Sequence, residues 1–189
     1  MNKIITLMTN NLRKVESLQK VVAPYGYKIE ITKVEFPEIQ SNSTAEVAAF
    51  AAKWIAEKIK KPCVKMDSGF FVKEFGCFPG AFVRWVDEGL GVERFFDIVK
   101  NTENKKAMIT SSVAYCEPSQ EPITFFGSAL GRVPKRLGKK GSFIDRLFIP
   151  DDHNPKNLTL GELRESDLDA VIEIWGRAEK EFTKWLLAK

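Results

Sequence analysis

Histidine occurs once in this 189-residue chain, at His153, and cysteine three times, at Cys63, Cys77 and Cys116. One histidine excludes a metal centre built from several imidazoles. It sits in the polar run Asp151-Asp152-His153-Asn154-Pro155, which reads as a surface loop. An odd, scattered set of cysteines with no Cys-x-x-Cys spacing indicates neither a disulfide framework nor a zinc site. Cys77 has no histidine nearby to activate it as a nucleophile. No apolar run approaches the roughly 20 residues of a membrane span. The start of the chain lacks the basic residues and cleavage site of a signal peptide, so the expected compartment is the cytoplasm, with no membrane partner. No repeat, low-complexity tract or linker breaks the chain.

Hydrophobic residues make up 44% of the sequence, enough to bury a core in one domain or two closely fused lobes. The net charge of +4 is mild, but the positive residues are unevenly placed. Residues 131–141 carry Arg132, Lys135, Arg136, Lys139 and Lys140 with no acid among them. Glycines and a proline make this stretch a loop, either a solvated one or one that faces phosphate. Nucleic acid is the weaker partner, because no interleaved aromatics accompany the charges.

Hydrophobic periodicity predicts a buried strand over 3–8 and a helix over 11–22 with Val15, Leu18, Val21 and Val22 on one face. A half-buried strand follows over 27–34. A second helix begins near Thr44 behind a Ser43-x-x-Glu46 capping box, with the stripe Val47, Phe50 and Trp54. A short strand over 62–66 runs straight into Asp67-Ser68-Gly69, with Asp67 at its tip. Residues 91–100 read as a helix, and 107–116 with 122–130 as an antiparallel pair. A last helix opens with a Ser166–Asp169 capping box and carries Leu168, Val171, Ile172, Trp175, Phe182, Trp185 and Leu186 on its apolar side. The pattern is that of an α/β or α+β protein with a mixed sheet. Trp54, Trp175 and Trp185 lie on apolar stripes and read as core.

The chemistry concentrates in short polar stretches at strand ends. Thr9-Asn10-Asn11-Leu12-Arg13-Lys14 follows the first strand at once. Free amides at a helix start, two neutral donors and a lysine one turn in suit an anion, although an ordinary capped helix explains the same residues. Glu38 lies in the loop after the second strand and Asp67 at the tip of the short one. Two carboxylates with water and phosphate oxygens form the usual shell of Mg²⁺. With Lys14, they suggest metal-assisted attack of water on a phosphate anhydride.

In this order the motifs resemble the inosine triphosphate pyrophosphatase family, the noncanonical purine nucleoside triphosphate pyrophosphohydrolases. The resemblance runs over nearly the whole chain. It is carried by Thr9-Asn10-Asn11-Leu12-Arg13-Lys14, Pro37-Glu38-Ile39-Gln40, Asp67-Ser68-Gly69, Pro79-Gly80-Ala81-Phe82 with Arg84-Trp85, Gly131-Arg132-Val133, Asp145-Arg146-Leu147-Phe148-Ile149-Pro150 and Leu160-Gly161-Glu162-Leu163. It implies a single domain over 1–189, elongated and two-lobed, with a long mixed sheet flanked by helices and the active-site cleft between lobes. It further implies a homodimer, a nucleoside triphosphate substrate, Mg²⁺ as cofactor, and cleavage to monophosphate and pyrophosphate. Carried over residue by residue, Thr9, Asn11 and Lys14 grip phosphate, and Glu38 and Asp67 hold the metal and serve the attacking water. Lys14, Glu38 and Asp67 are thus the catalytic set. Ser68 and Gly69 shape the loop beside them. At the base end, Trp85, Phe143 and Asp145 are the candidates, with Trp85 equally readable as packing.

The departures from the family pattern cluster. Met66 stands where the first of two adjacent acids is usual. Ala51 replaces a helix lysine, and Lys53, Lys65 or the basic loop are the candidates to take its place. Ser142 replaces a stacking aromatic and Leu168 a lysine. A Ser-His-Arg triplet is replaced by Glu173-Ile174-Trp175. The phosphate end is mostly kept and the base end rewritten. Two readings follow: an enzyme of the same reaction type with a changed base preference, or a degenerate nucleotide-binding or interaction protein that no longer turns over.

Overall fold

The computed structural model describes residues 3–189. In chain order the regular elements are β1 (Lys3–Met8), α1 (Leu12–Val22), β2 (Tyr27–Thr32), α2 (Thr44–Ile59), β3 (Cys63–Val72), β4 (Pro79–Gly80), α3 (Val83–Gly89), α4 (Val92–Val99), β5 (Lys106–Cys116), β6 (Ile123–Arg132), α5 (Phe143–Leu147), β7 (Ile149–Pro150), α6 (Leu160–Ser166), α7 (Leu168–Trp175) and α8 (Arg177–Ala188). The strands form one mixed sheet in the order β2-β1-β3-β5-β6-β7, with β4 pairing β3. β1 runs parallel to β2 and to β3, and β4 and β7 pair antiparallel. The neighbours β5 and β6 are joined by residues 117–122, a connection short enough only for an antiparallel hairpin. Among the described residues no helix is long and apolar enough to cross a membrane.

The chain divides into two compact units. The first takes the residues through Asp67, Ser111–Gly127 and Gly176–Lys189; the second takes Ser68–Thr110 and Ser128–Trp175. β3, β5 and β6 contribute residues to both.

In the first unit, strand alternation sorts side chains onto two faces. Ile5, Leu7, Val64, Met66 and Val113 pack with Leu18 and Val22 of α1 and with Ala178 and Phe182 of α8. Met8, Cys63, Ala114 and Cys116 pack on the opposite face with α2. The buried face of α2 is made of Ala48, Ala51, Ala52, Ile55 and Ala56. The expected stripe of Val47, Phe50 and Trp54 is therefore displaced by one residue, and Phe50 is exposed. Alanine lets the helix lie close to the sheet, leaving its large side chains at the border. Only half of the expected capping box forms. Ser43 Oγ accepts from the Glu46 amide at 3.3 Å, but Glu46 instead accepts from Ser41 Oγ at 2.6 Å.

The second unit has its own core, with Phe70, Phe95, Phe143, Phe148, Leu160 and Ile174 among its fully enclosed apolar residues. Gly131 belongs here for a steric reason. A Cβ at that position would lie 2.3 Å from the Ile149 carbonyl oxygen and 2.5 Å from the Phe148 ring.

Two expectations for the C-terminal region are corrected. The single long helix is two helices, α7 and α8, interrupted at Gly176. The cap is Asp167, whose Oδ1 accepts from the Ala170 amide at 2.9 Å, while the Ser166 hydroxyl turns back to the Glu162 and Leu163 carbonyls. True capping boxes form elsewhere, at Ser142–Asp145 and Thr159–Glu162.

Candidate active site

The first unit holds a reversal of strand order. From β1 the chain moves out to β2 on one side and returns to β3 on the other, all three parallel. Loops that leave neighbouring strands in opposite directions open a crevice at the carboxyl ends, the usual ligand position in α/β sheets. The predicted phosphate-end residues collect at this point.

β1 ends at Met8, and the next residues turn the chain into α1. Thr9 is buried, and its Oγ1 accepts from the Asn11 amide at 3.0 Å. Asn11 caps the helix, with Oδ1 accepting from the Arg13 amide at 3.0 Å. These side chains thus occupy two of the amides that a bare turn would offer to an anion. The donors left in the motif are the Asn11 carboxamide and the Lys14 ammonium.

Lys14 reaches β3. Its Nζ donates to the Met66 carbonyl at 2.9 Å, just past Met8–Lys65, where the β1–β3 ladder ends. That bond fixes the ammonium one residue before Asp67. Burial pulls the Lys14 pKa below the ordinary lysine value, and the charges of Asp67, Glu179 and Glu38 act against that shift. Asp67, Ser68 and Gly69 do not stand at the tip of a short strand and in the loop beside it, as the sequence suggested. They lie inside the ten-residue β3, held in extended backbone by the continuing pairing to Phe70 and Phe71. Glu38 is exposed in the irregular segment between β2 and α2, and its charge acts on both Lys14 and Lys65.

Lys65, named from sequence as one candidate for the missing helix lysine's place, joins this group, and so does Glu179, which the sequence reading did not place in it. Lys65 shares a strand face with Asp67, two residues on. Its Nζ lies 3.8 Å from Met8 Sδ and 4.9 Å from the centre of the Phe36 ring. Burial, and next the nearby Lys14 charge, lower its pKa to about 8. Glu179 of α8 is fully buried behind Lys14. Its Oε1 accepts from Ser17 Oγ at 3.1 Å, its Oε2 has no hydrogen-bond partner, and burial raises its pKa to about 7. Both left a signal in the sequence. Lys65 interrupts an otherwise apolar strand, and Glu179 lies three residues before Phe182 on the buried side of a helix.

Among the other candidates for the missing helix lysine's place, Lys53 and, in the basic stretch, Arg132 are engaged elsewhere. Lys53 is exposed and pairs with Glu121. Arg132 of the basic stretch pairs with Asp151 at 2.9 Å, and Gly138 exchanges hydrogen bonds with Arg146.

The base-end candidates belong to the second unit. Trp85 is 58% exposed on α3, with the Arg84 guanidinium 4.7 Å from its ring centre. Phe143 is a core residue, its ring 5.1 Å from that of Phe95, and it presents no open face. Asp145 is buried and committed: Oδ2 accepts from the Ser142 amide and hydroxyl at 2.9 and 2.8 Å, and Oδ1 faces Arg164 Nη2 at 3.3 Å. Gly69 has an internal reason, since a Cβ there would meet the Phe71 ring at 2.6 Å. His153 is an exposed loop residue. Cys63 and Cys116 are buried, and burial pushes the Cys63 thiol up to about 12. Among the described residues no group of three or more His, Cys, Asp or Glu side chains is placed to hold a metal ion. A two-carboxylate Mg²⁺ site completed by substrate oxygens needs no such group.

Comparison with known proteins adds an independent line. The model of the Ham1 family matches residues 5–185. The dITP/XTP pyrophosphatase of Methanopyrus kandleri is 34% identical over 83% of this chain and 84% of its own length. That of Thermococcus kodakarensis is 31% identical over 96% of each. Among solved structures, a HAM1 protein from Coxiella burnetii superposes with a TM-score of 0.80 at 19% identity, covering 99% of this chain and all of the other. The Ham1 protein of Staphylococcus aureus gives 0.75 at 20% identity, covering 98% and 99%.

Proposed function

This chain belongs to the Ham1 family, and we propose that it is a nucleoside triphosphate pyrophosphohydrolase. The substrate in this reading is a noncanonical purine (deoxy)nucleoside triphosphate such as dITP or XTP, and the products are the monophosphate and pyrophosphate. The observation that carries it is the bond from Lys14 Nζ to the Met66 carbonyl. It sets a phosphate-seeking cation against the backbone next to Asp67, at the strand reversal where ligands bind.

Lys14 neutralises charge on the phosphate chain as the anhydride breaks, a role that grows in a partly buried site. The Asn11 carboxamide supplies a neutral donor beside it. Thr9 works indirectly, because its hydroxyl holds the Asn11 amide and so fixes the turn. The carboxylates of Asp67 and Glu38 suit Mg²⁺, which takes one or two carboxylates and completes its shell from substrate phosphate and water. When bound, Mg²⁺ would supply Lewis-acid polarisation of the phosphoryl oxygens. Asp67 and Glu38 also suit the orientation of the attacking water. The homodimer and the cytoplasmic location belong to the same proposal, on family resemblance.

The test is a hydrolysis screen of purified protein with Mg²⁺ over standard, deaminated and modified (d)NTPs, with Asp67→Asn alongside. Turnover of one or a few deaminated purine nucleotides, lost in the variant, is expected. Absence of turnover above the variant on every member removes the enzyme reading and leaves a nucleotide-binding one.

A further inference from the structure

The cluster at the strand reversal sets two ammonium groups, Lys14 and Lys65, against two carboxylates, Asp67 and Glu38, that the proposed function commits to a metal ion. Lys65 emerges from β3 opposite Met8, the last residue of β1. The polar turn that opens α1 begins at the next residue, Thr9. Asp67 projects from the same face about 7 Å further along β3, two residues at strand rise. Both the turn and the Asp67 carboxylate therefore lie just beyond Lys65 at the carboxyl end of the strands, and Lys65 is on the face that α2 covers with small residues such as Ala48, Ala51 and Ala52.

Its immediate partners are soft ones, the Met8 thioether and the face of Phe36. The other lysine of the cluster, Lys14, has spent one proton on a backbone carbonyl. Two ammonium groups that repel each other in a partly desolvated place are costly without an anion to share. Glu38 and Asp67 act on both lysines, and a bound Mg²⁺ would take up that negative charge. Both contacts of the Lys65 ammonium, to a thioether and to an aromatic face, are weaker than one to a phosphate oxygen, so a polyphosphate can displace them.

We propose that Lys65 is a second phosphate-binding residue of this site, delivering its charge to the polyphosphate chain alongside Lys14 and from the same strand as Asp67. The inference rests on the pyrophosphohydrolase reading and deepens it. It assigns the recognition of a long, highly charged phosphate chain, rather than a monophosphate, to a pair of lysines on neighbouring elements.

The experiment measures binding of inorganic tripolyphosphate with Mg²⁺, a probe with no base, by titration calorimetry. Wild type, Lys65→Met, Lys65→Arg and Lys53→Met are compared, with hydrolysis of the best nucleotide measured in parallel. Loss of one charge-assisted contact should weaken tripolyphosphate binding by about 10- to 100-fold in Lys65→Met. Lys65→Arg should keep most of the affinity and Lys53→Met all of it. Wild-type affinity in a folded Lys65→Met protein overturns the assignment while leaving the pyrophosphohydrolase reading intact. Wild-type protein that neither binds tripolyphosphate nor turns over any nucleotide overturns both. Should Lys65→Met fail to fold, Lys65→Gln, which keeps a polar head on the strand, decides by the same criterion.

Discussion

Replacing Glu179 by glutamine should make this protein more stable at alkaline pH, although it removes a charge next to a lysine. Glu179 is fully buried, has one hydrogen bond from Ser17 and leaves Oε2 without one. Its pKa rises from an ordinary 4.5 to about 7, burial being the main cause and the Ser17 bond and Lys14 charge opposing it. The folded state therefore keeps the proton where the unfolded chain has lost it. The stabilisation is complete below pH about 4.5 and is lost as pH rises through about 7. A shift of this size is worth about 3 kcal/mol over the window. Glutamine stays neutral and keeps the Ser17 contact. Glu179→Gln should thus match wild type near pH 5 and exceed it by up to about 3 kcal/mol at pH 8 to 9. That corresponds to a rise in Tm of roughly 6 to 12 °C for a chain of this length. Urea denaturation of both proteins in steps from pH 5 to 9 measures it. Parallel stability profiles, or a variant weaker at every pH, would refute the buried neutral carboxyl.

Other expectations follow from single observations. Lys14→Met should lower kcat/KM on any hydrolysed nucleotide by about 10²-fold or more, since it removes charge at the anhydride, with little change in Tm. Asp145→Ala should cost about 2–4 kcal/mol in urea denaturation, because it takes the carboxylate from the part-buried Arg164 and opens the Ser142 cap; an unchanged midpoint would return Asp145 to the list of base-reading residues. Gly131→Ala should destabilise by at least about 1–3 kcal/mol, because backbone atoms of β7 stand where the methyl group must go. A thiol reagent on the native protein should label Cys77 quickly and spare Cys63 and Cys116, which are buried; labelling of Cys63 at a comparable rate in mass spectra would contradict its burial.

Much of the phosphate end was legible because its residues are adjacent in sequence. Thr9, Asn11 and Lys14 fall within one strand-to-helix turn, where spacing alone sets their relation. What spacing could not show is that Thr9 and Asn11 spend their oxygens capping that turn. Nor could it show that Lys14 is anchored on the carbonyl of Met66, since the position vacated by an acid side chain is read through its backbone. Asp67 looked like a strand tip because Gly69 reads as a turn residue; in the fold that glycine makes room for Phe71 inside a continuous strand. The stripe of α2 was misplaced because large residues outweigh alanines in a periodicity count, while close packing against a sheet favours the alanines. Glu179 was hidden for a related reason, and Lys65 was legible only as one of several candidates for the missing helix lysine's place. A single charged residue in an apolar pattern reads as noise until its neighbours from other elements are known. Phe143 and Asp145 matched base-end positions in sequence, but their local capping and core contacts take precedence.

The central claim is that the bond cleaved is the one between the α and β phosphates. Phosphorus NMR of a reaction with Mg²⁺ and dITP, followed as it proceeds, tests this directly. The account predicts monophosphate and pyrophosphate formed in equal molar amounts, the pyrophosphate resonance growing with twice the area, and neither when Asp67→Asn replaces wild type. Nucleoside diphosphate and orthophosphate as the products, or equal turnover by the variant, would contradict it.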